Sequence, residues 1–494
     1  MDNDGYVKDA PYRIAFQSAQ TPAHLAMVCA MAGVQWALRD DLRVADLGCG
    51  RGYVVNTLAA ANPGWQVFGM DHSPVQLAEA TAVAAQAGLP NARFIETDLG
   101  ALTQEDIARL PTLDVVMLHG VWTWVADAVR QGILRLLARK LAPGALVYVG
   151  YNALPAAGAD FALQRLLRQW AAPVQRAAGS VAAAEHAMAQ LRQHAGQLRL
   201  PQTAMLQRLM SAPPVLEPAF VAHEFLTEHW RPVFHDDLCA ALATAKLEFV
   251  GSSNLFEALP QLFMAPGTQA AASTLSGDTG SELLKDLLLP RSFRADVFIR
   301  GARRITAQPA LDAVVLAACK SWPPQCPTLH TGVSEAALPS ALWRRLGAAL
   351  QKGPLPLGDL RHRADAGTQH PGELLALLVG TGCVVPVFGG TPGEQALATA
   401  ARFNAVAASR YSEGGQARGH FALACPSAAG GVPADALDLA LAAVLARPQQ
   451  GQGVEELARA MAPQAAEASC AELAGRIASR WPALRPAWSG LHIV

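Results

Sequence analysis

The chain has 494 residues, of which 51% are hydrophobic, and its formal net charge at pH 7 is −1. A chain of this length is too long to fold around a single hydrophobic core, so we expect two or three domains in a helix-rich globular protein. The near-zero charge excludes a general long-range attraction to nucleic acid or anionic lipid. No apolar run approaches the roughly 18 residues of a membrane span, so we expect no membrane insertion. The eight cysteines contain no CxxC pair, and the acidic, polar start has no signal-peptide character. We therefore expect reduced thiols in a cytoplasmic protein.

The first third of the chain alternates strand and helix patterns. Short β-branched or apolar runs predict five strands, at residues 43–48, 66–71, 92–98, 113–120 and 145–152. Helical patterns predict helices at residues 22–38, 51–62, 73–88 and 126–144. This order is typical of a parallel sheet covered by helices on both faces. The sequence therefore predicts a doubly wound, Rossmann-like α/β domain over residues 1–155.

Strand signals become sparse after this domain. In chain order, the patterns predict helices at 159–211, a helix between aromatic loops at 219–260, a loop at 266–280 and a strand near the end of "RSFRADVFIRG". From about residue 310, short helices are broken by Pro and Gly, in a pattern of winged-helix type. We predict a helical linker with a mixed middle domain at 156–310, and a mainly helical, winged-helix-like region at 311–494.

The segment "VADLGCGRGYVV", residues 44–55, places three glycines and an acid around the end of the first predicted strand. Such a turn lets a ligand approach the backbone closely. Gly52 is followed by Tyr-Val, not by the Lys-Ser/Thr of a phosphate-binding loop. The spacing of Gly48, Gly50 and Gly52 also differs from the G-x-G-x-x-G of dinucleotide sites. With Asp46 at the strand end, the pattern favours a ligand with a cationic amino acid end and no phosphates, such as S-adenosylmethionine.

Two further acids end the next predicted strands. Asp71, about 25 residues after the first acid, is expected to accept both ribose hydroxyls, with His72 beside it. Asp98 is expected to accept from the adenine amine while Leu99 packs near the ring. Each acid alone also fits a helix cap. Their order at successive strand ends predicts a cofactor site.

The methyl acceptor is expected over the ends of the fourth and fifth strands, beside the switch point of the sheet. His119, Trp122 and Trp124 follow the fourth strand, where aromatic faces suit an alkylammonium or a sulfonium. For Trp124 we favour a lid packed on the adenosine or the core. His119 is either a proton acceptor or an orienting group. Tyr151 and Asn152 end the fifth strand and are expected to point into the same cleft, as candidate catalytic and acceptor-binding residues.

Several polar and aromatic side chains near the N-terminus form a candidate cover for the cofactor. The alternative is ordinary helix packing. The candidates are Tyr12, Phe16, Gln20 and His24.

The stretch "HWRPVFHDD" raises the alternative of a metal site. His229 and His235 are six positions apart, which does not place both on one helix face. We therefore expect no metal and predict a helix start capped by Asp236 or Asp237.

These stretches resemble bacterial class I methyltransferases that carry a methyltransferase regulatory domain, a group that includes outer-membrane-protein lysine methyltransferases. The resemblance is carried by "DLGCGRGYVV", "LHGVWTWV", "VYVGYNALP", "HEFLTEHWRPVFHDDLCAALATAKLEFVG" and "RSFRADVFIRG", and it spans most of residues 1–305. It implies S-adenosylmethionine as cofactor and a protein lysine as acceptor. The residues that it carries over as cofactor or cleft positions are Asp46, Gly48, Asp71, Asp98, His119, Tyr151 and Asn152. After Pro155, "AAG" replaces the expected Gly-Trp.

A lysine acceptor must lose its proton, because its pKa is near 10.4. A dry, aromatic cleft beside a sulfonium lowers that pKa. The sequence thus favours a protein-lysine methyltransferase. The alternatives are a small-molecule or sugar methyltransferase and, less favoured, a nucleic-acid-binding regulator, because the tail has few basic residues. For the C-terminal region we favour a docking or dimer surface, which leaves a homodimer open.

Overall fold

The computed structural model describes residues 7, 9–10, 12–272, 274–275, 277–289, 291–330, 335–411, 419–446, 453–461 and 467–494. Its centre is a seven-stranded sheet with the order β3-β2-β1-β4-β5-β7-β6. The strands are β1 (Arg43–Leu47), β2 (Gln66–Asp71), β3 (Ala92–Glu96), β4 (Leu113–His119), β5 (Leu141–Asn152), β6 (Glu248–Ser252) and β7 (Phe293–Ile299). β1 to β5 are parallel, whereas β7 runs antiparallel to both β5 and β6.

Helices cover the parallel part of the sheet, as predicted for a doubly wound domain. They are α1 (Pro22–Met31), α2 (Tyr53–Ala61), α3 (Pro74–Ala87), α4 (Gln104–Arg109) and α5 (Asp127–Lys140). The signals for α3 act as expected: Ser73 accepts a hydrogen bond from the backbone of Gln76, and Gly88 ends the helix with a φ of 65°. α1 is shorter than the predicted helix at 22–38. It ends at Met31, and Gly33 has a φ of 61°, which breaks the helical path.

The middle of the chain contributes helices and the two antiparallel strands. The helices are α6 (Phe161–His194), α7 (Ala204–Met210), α8 (Pro218–Phe225), α9 (His235–Ala243), α10 (Pro266–Ala272) and α11 (Gly277–Leu288). Two predictions were wrong here. The region 219–260 contains the strand β6 as well as helix, and the predicted loop at 266–280 contains α10 and the start of α11. Residues 273 and 276 of that prediction lie outside the described residues.

The last third of the chain is mainly helical, as expected. Its helices are α12 (Ala307–Asp312), α13 (Ser340–Leu350), α14 (Leu357–Arg363), α15 (Pro371–Gly380), α16 (Glu394–Tyr411), α17 (Ala436–Leu445), α18 (Val454–Met461) and α19 (Glu467–Gly490). Its strands are β8 (Val315–Ala318), β9 (Leu329–His330), β10 (Glu335–Ala336), β11 (Leu355–Pro356), β12 (Val384–Val387), β13 (Phe421–Cys425) and β14 (Gly430–Ala434). They form one three-stranded sheet, β11-β8-β12, and two pairs.

The C-terminal region packs directly on the first domain. The Tyr53 hydroxyl, at the start of α2, donates to the carbonyl oxygen of Ala422 (2.8 Å) and accepts from its amide (3.2 Å). The amide of Phe16 donates to the carbonyl oxygen of His420 (2.7 Å). β13 therefore holds both the segment that leads into α1 and the helix behind the glycine-rich turn. No helix in the described ranges is long and apolar enough to span a bilayer.

Candidate active site

A cavity of about 540 Å³ opens at the carboxyl ends of β1, β2 and β4. This is the switch point of the sheet, where the chain leaves β1 towards one side for β2 and returns on the other for β4. The volume lies in the usual range for a small-molecule site. The predicted site residues that line the cavity are Gly48, Gly50, Asp71, His72, Asp98, Leu99, His119 and Trp124.

The glycine-rich turn needs its glycines for two different reasons. Gly48, Gly50 and Gly52 all have positive φ, between 52° and 77°. Gly48 and Gly50 line the cavity, so their bare backbone faces the ligand. Gly52 does not line it. A Cβ on Gly52 would lie 2.5 Å from the Cβ of Ala80 and 2.6 Å from the Phe94 ring, so this glycine lets α2 pack against α3 and β3.

Asp46 is a buried carboxylate at the end of β1, directly before the turn. It makes no hydrogen bond within the described structure. Burial, together with the charge of Asp71, raises its pKa from 3.8 to about 7. A cation placed beside Asp46 would stabilise its ionised form. Asp46 is not among the residues that line the cavity, but its charge favours a cationic group nearby and disfavours a phosphate.

Asp71 is fixed by the backbone around it. Oδ2 accepts from the amide of Gly50 (2.8 Å), and Oδ1 accepts from the amide of Ser73 (2.9 Å). Oδ1 also lies 3.4 Å from Nδ1 of His72. A carboxylate has about four lone-pair positions, so at least one remains for a ligand. Two acceptors at fixed positions suit two neighbouring hydroxyls, such as those of a ribose. The neighbouring Gln76 places Oε1 near Gly50, buried and without a partner in the described structure.

The loop after β3 forms another wall of the cavity. Asp98 Oδ1 accepts from the amide of Gly100 (2.8 Å), which leaves Oδ2 for an external donor. Leu99 is buried and supplies an apolar surface. Gly132 of α5 lies directly behind this loop, because a Cβ there would lie 1.6 Å from the carbonyl oxygen of Leu99. Close packing of α5 thus sets the position of the loop.

His119 ends β4 and faces the cavity as a neutral group. Burial lowers its pKa to about 4. Its Nδ1 lies 2.9 Å from the hydroxyl of Tyr148. Burial raises the pKa of this hydroxyl. Because the phenol keeps its proton and has no other acceptor in the described structure, we infer that it donates to Nδ1. The ring proton then lies on Nε2, and His119 acts as a hydrogen-bond donor more readily than as a base.

Three predicted acceptor residues do not line the cavity. Tyr151 is buried on the opposite face of β5, and its hydroxyl donates to Asp296 (2.7 Å). Side chains alternate along a strand, so Tyr151 and Tyr148 lie on opposite faces. Asn152 lies beyond the cavity and accepts from the indole nitrogen of Trp230 (2.8 Å). Trp122 is buried in the core, and the favoured role of lid falls to Trp124, which lines the cavity.

Of the predicted N-terminal cover, only Tyr12 lines the cavity. Phe16 and Gln20 are buried away from it. His24 is also buried, and its Nε2 lies 2.6 Å from the carbonyl oxygen of Ser253. For these three, helix and loop packing was the correct alternative.

The candidate metal residues are separated. His229 lines the cavity, whereas His235 is buried beside Asp296 (Nδ1–Oδ2 2.9 Å). Within the described ranges, no three His, Cys, Asp or Glu side chains form a metal-binding group. The predicted cap was wrong: α9 begins at His235, and Asp236 and Asp237 lie in its first turn without capping it.

Sequence reasoning missed several residues of this site. Tyr148 lies in the middle of β5 and belongs to no motif. The available signals were its position two residues before Gly150 and the pairing of its strand with β4. Gly132 interrupts a helical pattern, which is a signal for close packing. Phe293 lies 5.3 Å from His119, ring centre to ring centre, and comes from a strand whose pairing the sequence did not reveal.

The site residues fit S-adenosylmethionine. Asp71 and Asp98 line the cavity as acceptors, Asp46 is buried at the end of β1 without lining it, and no Lys or Arg lines the described cavity. A dinucleotide or a triphosphate would meet Asp71, Glu96 and Asp98 there, and no Lys or Arg of the described residues to pair with its phosphates. A second cavity of about 650 Å³ lies at the other end of the sheet, next to Arg39, Asp40 and Trp65, and is remote from these groups.

Comparison with known proteins agrees with this site. Residues 44–144 match the model of a methyltransferase domain, and residues 217–300 match that of a predicted methyltransferase regulatory domain. An uncharacterized protein of Synechocystis is 27% identical over 73% of this chain and 71% of its own length. Trans-aconitate 2-methyltransferase of Methylobacterium nodulans is 36% identical, over 22% of this chain and 37% of its own length.

Among solved structures, PKMT2 from Rickettsia typhi has the same overall fold. It aligns over 98% of this chain and 99% of its own, with a TM-score of 0.66 at 15% identity. Its complex with AdoHcy aligns over 91% of each chain, with a TM-score of 0.64. The chain therefore carries a methyltransferase domain of Rossmann-like fold, with S-adenosylmethionine as the methyl donor, and a methyltransferase regulatory domain.

Proposed function

We propose that the enzyme methylates the side-chain amine of lysine in a protein. The observation that carries this proposal is the charge of the cavity. Its acidic residues are Asp71, Glu96 and Asp98, and no Lys or Arg lines the described part of it. A carboxylate acceptor would find no positive partner there, whereas a lysine side chain is attracted as a cation.

The aromatic end of the cavity supports the same acceptor. Trp124 and Tyr12 line it, and the ring of Phe293 lies 6.4 Å from that of Trp124. Aromatic faces hold an alkylammonium by cation–π attraction. The same low-polarity surroundings lower the pKa of the amine, so that the nucleophilic neutral form becomes accessible. The likeness to PKMT2, a Rickettsia protein lysine methyltransferase, agrees with this acceptor.

The residues then act by binding and alignment. S-adenosylmethionine supplies an activated methyl group on a sulfonium, and its transfer is an in-line displacement. Asp46 would hold the cationic end of the cofactor and Asp71 its ribose, and the aromatic walls would exclude water. His119 donates from Nε2 and so orients a bound group. The attacking amine loses its proton to solvent before transfer. His119 is a poor proton acceptor, because burial lowers its pKa to about 4.

The test is label transfer from isotopically labelled cofactor into a bacterial lysate fractionated by size. Lysine methylation predicts label in protein, resistant to base, and recovered as methyl-lysine after acid hydrolysis. Asp71→Ala is the inactive control, and Arg109→Ala, an exposed change on α4, is the matched active control. Label that appears only in small molecules, or as base-labile methyl ester, would favour the trans-aconitate type of acceptor and contradict the proposal.

A further inference from the structure

Two exposed phenylalanines lie at the acceptor end of the molecule. Among the large apolar side chains that the structure describes as exposed, only Phe161 (45%) and Phe293 (38%) are aromatic. Phe293 begins β7, and Phe161 begins α6. They come from distant parts of the chain, and Asn152 and Trp230 connect them. Exposed aromatic groups of this kind mark interaction sites when they are contiguous.

Asn152 joins the two sides. It is paired with Phe293 across β5 and β7, and its Oδ1 accepts from the indole nitrogen of Trp230 (2.8 Å). The ring of Trp230 lies 5.4 Å from that of Phe161 in an edge-on contact. We call Phe161, Trp230, Asn152 and Phe293 the aromatic belt. It is continuous with the cavity, because Phe293 contacts both His119 and Trp124.

Ion pairs lie beside the belt. Arg231 lies 2.5 Å from Asp127, which also binds Arg130 (2.7 Å). Arg168 lies 3.6 Å from Glu228. The belt itself consists of three aromatic side chains and one neutral amide, so its largest available gain comes from apolar contact.

We propose that the aromatic belt docks apolar side chains that flank the target lysine in a substrate polypeptide. This inference rests on the proposed lysine acceptor and specifies its sequence context. The substrate segment is extended or unfolded, because lysines surrounded by apolar residues are buried in folded proteins. It also gives a role to the regulatory domain, which contributes Trp230 and Phe293.

The test uses two fluorescent peptides, each with one central lysine. One has Phe and Leu at the flanking positions, and the other has Ser and Gln. Binding is measured by anisotropy with saturating AdoHcy, and methyl transfer is measured separately by mass. The variants are Phe161→Ala, Phe161→Leu and the control Ile305→Ala. Ile305 is 38% exposed and lines the remote second cavity.

We expect the wild-type enzyme to bind the apolar peptide about tenfold more tightly than the polar one. Phe161→Ala should remove most of this preference, Phe161→Leu should restore part of it, and Ile305→Ala should leave it unchanged. The affinity for AdoHcy should be the same in all variants, which shows that the fold is intact.

Equal binding of the two peptides, or an equal loss in Ile305→Ala, would overturn the docking surface. Preferential, Phe161-dependent binding supports the docking surface, whether or not methyl transfer follows. If that binding occurs without any methylation of the lysine, the proposed acceptor is wrong while the docking surface stands. The two proposals therefore fail in different measurements.

Discussion

Replacing Asp46 with Asn should stabilise the protein and damage its cofactor site at the same time. In the folded chain, burial and the charge of Asp71 raise the pKa of Asp46 from 3.8 to about 7. The folded state therefore binds a proton that the unfolded state has released. The stability that Asp46 contributes is complete below pH 4 and is lost as the pH rises towards 7.

The shift is about three pKa units, which corresponds to about 4 kcal/mol at pH 8. Asn removes the ionisation but leaves a buried amide to be satisfied, which offsets about 1 to 3 kcal/mol. We expect Asp46→Asn to exceed the wild type in unfolding free energy by about 1 to 3 kcal/mol at pH 8. The difference between the two proteins should increase by about 4 kcal/mol from pH 4 to pH 8.

Urea unfolding of both proteins at pH 4, 6 and 8, without cofactor, measures this difference. Calorimetry with S-adenosylmethionine supplies the second half of the test. The wild-type affinity should rise as the pH increases from 6 to 7.5, because the ionised carboxylate is the binding form. Asp46→Asn should bind at least tenfold more weakly, with little pH dependence. A stability difference that does not change with pH would refute the reasoning, since it would mean that Asp46 is ionised at all these pH values.

Three other substitutions test the supports of the site. Gly132→Ala should lower both the melting temperature and the affinity for AdoHcy, because the new Cβ would collide with Leu99. The control Gly196→Ala should change neither, because no atom lies within 4 Å of its new Cβ. Tyr148→Phe should shift the ring-nitrogen NMR signals of His119 towards those of a mixture of tautomers. It should also lower kcat severalfold and leave the affinity for AdoHcy unchanged. Unchanged NMR signals would contradict the role of Tyr148 as a hydrogen-bond donor. Tyr53→Phe should cost about 1 to 3 kcal/mol of unfolding free energy, because it leaves the backbone of Ala422 unpaired. An unfolding free energy equal to that of the wild type would show that the C-terminal contact carries no stability.

The parallel half of the fold could be predicted because its signals are local. Ser73 and Gly88 bound α3 by side-chain and backbone geometry that any sequence shows. Asp46, the glycines and Asp71 lie close to strand ends, and parallel strands bring their ends to one edge. Those positions follow once the strand order of a doubly wound domain is assumed.

The acceptor side could not be predicted in the same way. β7 pairs with β5 from more than a hundred positions away, and no local pattern indicates that pairing. The error at Tyr151 has a different origin. Consecutive residues of a strand face opposite sides, so Tyr151 and Asn152 could not both point into one cleft. The bond from Trp230 to Asn152 depends on tertiary packing and has no signature in the sequence.

The place of β7 in the central sheet affects how the chain is made. Until Ile299 has left the ribosome, β5 presents an apolar, unpaired edge, the kind that recruits strands from other molecules. The edge of β5 in the nascent methyltransferase domain is therefore covered only after β7 of the regulatory domain has been synthesised. A fragment that ends near residue 155 should aggregate, even though it contains the complete cofactor-binding motif.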